Sequence, residues 1–340
     1  MALRLSLNTN PLVNRFAEVD DLCDTIAQRI RAGYIQLVPE FLNPSWPAAT
    51  ITKRERQFRS AFNRNALRAT SVMTSTFTRL NHMGHPDADV RRHYVNWFKT
   101  LADIAGAIGA ESMGSQFAIF TQKDYNDPER REALINIVID CWGEVAEHAK
   151  AAGLSYVFWE PMSVGREFGH TIAACRSFDK RLAAAGLALP FRMIVDIDHG
   201  DVTSTDPADT DPYAWAAAFP AESPIIHVKQ SSMNKGGHWP FTAQYNKDGR
   251  IQPQKLIDTV RAAGGVDTEI CMELSFRERE PADSGVVEMI RESVAYWEPH
   301  IDTGFNRCAE RRTDPARGRA DVAGQRVKFP AVQHGLAGYC

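Results

Sequence analysis

The stretch RMIVDIDHGD, residues 192–201, begins as an apolar run and ends in titratable groups. Met193, Ile194 and Val195 read as a buried strand, and Asp196, Asp198, His199 and Asp201 follow at once. Burying charge costs free energy that solubility does not require. A strand that ends this way is therefore holding something. Alternate residues of a strand share a face, so Asp196 and Asp198 point the same way. The pattern alone leaves open which of the two is a ligand.

Outward from this stretch the same design recurs. LSYVFWEPM (154–162) reads as a strand ending at Glu160, PIIHVKQ (224–230) carries His227, and TEICMELSF (268–276) carries Glu273. LRLSLNTN (3–10), YIQLVPEFL (34–42), ATSVMTSTF (69–77) and ESMGSQFAIF (111–120) read as four earlier strands, and PFRMIVDID (190–198) as the sixth. Amphipathic patterns over 19–32, 52–66, 88–108, 128–152, 171–186, 253–263 and 283–298 predict helices between and after them. The strands are apolar along most of their length, as parallel strands covered on both faces must be. Eight such units, with no Gly-rich phosphate loop after the first strand, predict an α/β fold of the (β/α)8 TIM-barrel type over residues 1–304.

The remaining segment, 305–340, carries seven Lys or Arg against three acids and lacks apolar periodicity, so it is expected to be a basic, disordered tail. The chain as a whole has a net charge of −3 and the barrel portion is acidic, which argues against a nucleic-acid partner. Six scattered cysteines without a CxxC pair point to a reducing compartment. The polar N-terminus MALRLSLNTNPL does not read as a signal peptide, and no apolar run approaches membrane-span length. A cytoplasmic location with no membrane partner is expected, and a homo-oligomer is left open.

In a barrel, catalytic side chains come from the C-terminal ends of several strands. Carboxylates and an imidazole meeting there form an oxygen and nitrogen ligand set suited to a divalent ion such as Mn, Mg or Co. An ion would also let buried acids stay charged. Any one of these acids has a plainer reading, as a helix cap or as the partner of Arg166 or Lys229. Four at successive strand ends favour a shared site.

At these residues the sequence resembles the xylose-isomerase-like TIM-barrel superfamily of sugar isomerases and epimerases. The ketose 3-epimerases of that superfamily carry Glu on strand five, Asp-x-x-His on strand six, His on strand seven and Glu on strand eight. The resemblance implies Glu160, Asp196, His227 and Glu273 as metal ligands, with Glu160 and Glu273 also as the catalytic proton-transfer pair. It gives His199 to substrate and Glu167 to a terminal hydroxyl. The blocks LSLNTNPLVNRF, NHMGHPDADVRRHYVNWFK, YVFWEPMSVGREFG, DIDHGDVTS, HVKQSSMNKGGHWPF and ELSFREREP resemble, more closely, the erythrulose-phosphate 3-epimerases of bacterial erythritol catabolism. The arginine that ketose epimerases carry six residues after the strand-seven histidine is Met233 here.

The implied reaction takes a proton from C3 of a ketose phosphate and returns one to the other face through an enediolate, D-erythrulose 1-phosphate becoming L-erythrulose 1-phosphate. Arg166, Lys229, Lys235, Arg277 and Arg279 are candidate phosphate ligands. Asn8, Asn10, Glu40, Asn81, His82, His85 and Trp159 are weaker pocket candidates, His82 or His85 serving equally as a cap for the helix near Asp87. The rival readings are an aldose–ketose isomerase sharing the metal set, an inosose-type dehydratase, an abasic-site endonuclease and a non-catalytic sugar sensor.

Overall fold

Every strand of the main sheet runs parallel to its neighbours, and the order closes on itself. The computed structural model describes residues 3–232 and 235–301, the Lys235 side chain excepted. Strands one to five are Arg4–Asn8, Tyr34–Leu37, Arg68–Met73, Ser112–Gln116 and Tyr156–Glu160. Strand six comes in two pieces, Phe191–Met193 and Val195–Asp196, and strands seven and eight are Ile225–Val228 and Glu269–Met272. The first piece of strand six pairs with strand five, Val157 against Phe191, and the second pairs with strand seven, Asp196 against His227. Strand eight lies between strands seven and one, with Cys271 beside His227 and Leu7 beside Met272. The sheet is thus an eight-stranded barrel, the expected fold.

The strands are shorter than the apolar runs suggested. YIQLVPEFL pairs only over Tyr34–Leu37 and turns into a short 3-10 helix at Pro39–Phe41, because proline offers no N–H to a ladder. The hairpin of Gln230–Ser232 with Lys235–Trp239 and the helix Pro212–Ala218 were not anticipated. That helix starts at Asp211, whose side chain accepts from the Tyr213 N–H at 2.9 Å, with proline in its first turn. The helix Ala88–Ala107 is capped by Asp87 rather than by His82 or His85, at 2.8 Å from the Asp89 N–H.

Period-two alternation sorts the strands into two cores. Outward-facing Val157, Trp159 and Met272 join the large apolar layer under the helices. Trp159 packs on Phe178 of the helix Ile172–Ala184, which answers whether it walls the site or faces out. Met73, Phe158, Ile194, Ile225 and Cys271 form a separate buried cluster. Phe158, Ile194, Ile225 and Cys271 share faces with Glu160, Asp196, His227 and Glu273 respectively, so this cluster plugs the barrel directly beneath the charged residues. Among the described residues, no helix is long and apolar enough to cross a membrane.

Candidate active site

The plug explains the electrostatics above it. Glu160 ends strand five, Asp196 ends strand six, His227 lies within strand seven, and Glu273 follows strand eight. Glu160, Asp196 and His227 are each at most 3% exposed. One ligand atom from each of Glu160, Asp196, His227 and Glu273 lies within 4.8 Å of the others. The four strand-end residues singled out from sequence therefore converge. A second, overlapping set joins Asp196 and Glu273 to His199 and His238.

His227 sits between the carboxylates. Its Nδ1 lies 2.9 Å from Glu160 Oε1 and 3.7 Å from Glu273 Oε2. Its Nε2 lies 3.0 Å from Gln36 Oε1. The Gln36 amide nitrogen is spent on Ser71 at 3.1 Å, and Asn8 donates to the same Gln36 oxygen at 2.7 Å. Gln36 thereby presents an acceptor, so Nε2 carries the hydrogen and Nδ1 is turned to the site. Metal-binding histidines are commonly held through the other ring nitrogen in this way. Burial alone would lower the His227 pKa, but the charges of Glu273 and Glu160 overcome it and hold it well above the usual histidine value.

Lys229, expected as a phosphate ligand, is instead buried among the carboxylates. It follows His227 by two residues on the same face and is 1% exposed. Its ammonium donates to Asp196 Oδ2, to His238 Nε2 at 3.0 Å and to His199 Nε2 at 3.1 Å, with Glu273 Oε2 at 3.6 Å. His199 Nδ1 donates to the Pro161 carbonyl at 3.2 Å, so its Nε2 accepts from the ammonium. Burial would raise the pKa values of Asp196 and Glu273. His199 and Lys229 reverse this for Asp196, and His227, His238 and Lys229 do so for Glu273, which is held well below the carboxylate range.

The set fits a divalent ion on two observations. Glu273 Oε2 is buried without a hydrogen-bond partner, although His238, Lys229 and His227 surround it at 3.5, 3.6 and 3.7 Å. The donors are carboxylate oxygens and imidazole, with no cysteine in either ligand set. Asp198, the other acid of the IVDID run, is turned to Arg250 and to Ser231 Oγ at 3.3 Å, outside both ligand sets. A cavity of about 1030 Å³ opens beside the site, lined by Asp198, Gly236 and Arg250 but by none of the four converging ligands.

The remaining candidates separate. Glu167 is buried on the 3-10 turn Gly165–Glu167, where Arg79 and Arg166 both bond its carboxylate. Glu40 accepts from Ser75 Oγ at 2.6 Å and Asn81 donates to the Ile119 carbonyl, and neither belongs to a ligand set. Asn10 donates its backbone N–H to Asn8 at 2.8 Å. Arg277 and Arg279 are exposed, and the Lys235 side chain, Met233 and the tail lie outside the described residues. Gln36 and Arg79 were not singled out from sequence. A glutamine inside the apolar YIQL was the one available signal for Gln36, and Arg79 had none beyond its place in a post-strand loop.

The comparisons with known proteins concern the chain and its fold as a whole. The chain is 62% identical over 304 residues, 89% of its own length and 98% of the relative's, to the D-erythrulose 1-phosphate 3-epimerase of Brucella abortus (strain 2308). A Rhodospirillum rubrum structure carrying the provisional description of a xylose isomerase superposes with a TM-score of 0.76 at 24% identity, over 87% of this chain and 99% of that one. The D-psicose 3-epimerase of Clostridium cellulolyticum H10, solved with D-tagatose, superposes with a TM-score of 0.63 at 11% identity, over 88% and 100% of the two chains. These two show the fold alone. The family match spans residues 12–298, and the chain belongs to the xylose isomerase-like TIM barrel family.

Proposed function

We propose that the chain is a divalent-metal-dependent 3-epimerase of a ketose phosphate, interconverting D-erythrulose 1-phosphate and L-erythrulose 1-phosphate. The observation that carries this reading is the pair Glu160 and Glu273, which reach the same imidazole nitrogen from strands five and eight. The 62% identity to an enzyme of that name supports the substrate.

Epimerisation needs a base on one face of C3 and an acid on the other. One of Glu160 and Glu273 removes the C3 proton as a carboxylate, leaving an enediolate. The other, protonated, delivers a proton to the opposite face. The roles exchange in the reverse direction. Lys229, whose three N–H donors are taken by Asp196, His199 and His238, holds these side chains in place around the site. Glu160, Asp196, His227 and Glu273 would hold the ion, Mn, Mg or Co. When bound, it supplies Lewis acidity toward the substrate's ketone oxygen. The plug of Met73, Phe158, Ile194, Ile225 and Cys271 keeps water from the underside of these groups. The buried thiols Cys23, Cys141, Cys175 and Cys271 support a reducing, cytoplasmic setting.

The deciding experiment is incubation with D-erythrulose 1-phosphate in heavy water, followed by NMR. Deuterium at C3 with formation of the L-isomer is expected. Label at C1 would instead assign the chain to the aldose–ketose isomerases, and its absence from every carbon would end the proton-transfer reading.

A further inference from the structure

Two arginines from different loops share one buried carboxylate beside the site. Arg79 lies on the loop after strand three and Arg166 on the turn after strand five. Arg79 Nη2 bonds Glu167 Oε2, and Arg166 Nη2 stands 3.0 Å from Glu167 Oε1. Glu167 is 3% exposed, while both arginine side chains are 38% exposed. The carboxylate therefore fixes two guanidiniums whose outer edges reach solvent. Arg166 spends a second nitrogen on the Phe120 carbonyl at 3.5 Å, and Arg79 has no other acceptor among the described residues. Two cations against one anion leave the cluster positive.

The cluster lies at the end of the barrel that carries the chemistry. Both loops leave the C-terminal ends of their strands, the end of the barrel that carries Glu160 and Glu273, and burial lowers the Arg79 pKa while the charges of Glu160 and Glu273 oppose the shift. An anion held on its outer edge would lie at the same end of the barrel as the proton-transfer pair. Lys229, the buried alternative, is committed to Asp196, His199 and His238. Guanidinium suits the task better than ammonium, because its planar fork meets phosphate oxygens in pairs. Glu167 acts as the brace: without it, two like charges on separate loops would splay.

From this geometry we infer that Arg79 and Arg166, braced by Glu167, form the site for the substrate's phosphate and set the preference for a phosphorylated over a free ketose. The inference rests on the proposed epimerase reading for its substrate, but phosphate binding by itself does not.

The test compares kcat/KM for D-erythrulose 1-phosphate and for D-erythrulose in the wild type, R79M, R166M and R79K. The ratio of the two values should fall about 10- to 100-fold in R79M and in R166M, as expected for one lost charge-assisted contact. R79K should recover part of it. A merely structural role would lower both values together and leave the ratio unchanged, which would overturn the inference. Inorganic phosphate binding, read by calorimetry on the same proteins, separates the two claims. If the wild type epimerises neither ketose yet binds phosphate in an Arg79-dependent way, the epimerase reading fails and the phosphate site stands. If R79M binds phosphate as tightly as the wild type, the site fails whatever the activity.

Discussion

Gln36 decides how His227 can act. An imidazole between two glutamates could face them with either nitrogen, and Gln36 Oε1 takes Nε2 out of contention. The glutamates then carry the chemistry. Glu160→Gln and Glu273→Gln keep shape and remove charge, and each is expected to cut C3 exchange at least about 1000-fold, within the range for a lost general acid or base. Retention of near-normal exchange in either would refute the two-carboxylate mechanism. His82 makes a different prediction at this scale. It is buried at a φ of 37°, and its Nδ1 accepts from the Met83 N–H at 2.8 Å. Burial pulls its pKa down to about 3. The native ring stays neutral while the unfolded ring takes up a proton below about pH 6.5. Stability is therefore lost as pH falls below that value, by up to about 1.4 kcal/mol per pH unit. His82→Asn, which tolerates positive φ, should flatten the fall in urea midpoint between pH 6.5 and pH 5. An unchanged pH profile would show that His82 does not carry it.

The loop after strand six depends on one close approach. A Cβ at Gly200 would stand 1.5 Å from the Asp209 carbonyl oxygen and 3.0 Å from Trp215 Nε1. That carbonyl accepts from the same indole at 2.8 Å, and Asp209 Oδ1 caps the Ile172 N–H at 2.8 Å. Gly200→Ala should thus cost about 1–3 kcal/mol by overpacking. Because His199 is its neighbour, KM should rise as well. Calorimetry and steady-state kinetics read the two effects, and an unchanged melting temperature would contradict the packing argument. The helix Pro212–Ala218 belongs to the same region. Its Asp211-Pro212 start was present in the sequence, but seven residues are too few for an apolar period to stand out. The strands read too long for a related reason. Apolar residues continue past the ladder in both YIQLVPEFL and ESMGSQFAIF, and composition does not mark where pairing stops.

A barrel of this size buries enough apolar surface to fold without an ion. Lys229 offsets the charge of Asp196 and Glu273 from within. Chelator treatment should therefore leave the far-UV circular dichroism intact while abolishing C3 exchange. Returning Mn at a hundredfold excess over its dissociation constant should stabilise the chain by about 2.7 kcal/mol. Full activity after chelation would remove the metal from the account. Unfolding on chelation would show that Lys229 does not balance the acids.

The alternation of strands and helices determined the barrel, because period and burial are local properties that the order of residues already contains. It also marked Glu160, Asp196, His227 and Glu273, since a charge inside an apolar run stands out without any coordinates. Which nitrogen His227 presents, and that Lys229 is buried against Asp196, were decided only in three dimensions. So was the meeting of Arg79 and Arg166 on Glu167. Each is a contact between residues far apart in the chain, set by barrel closure and loop packing, and nothing in the neighbouring sequence encodes that distance.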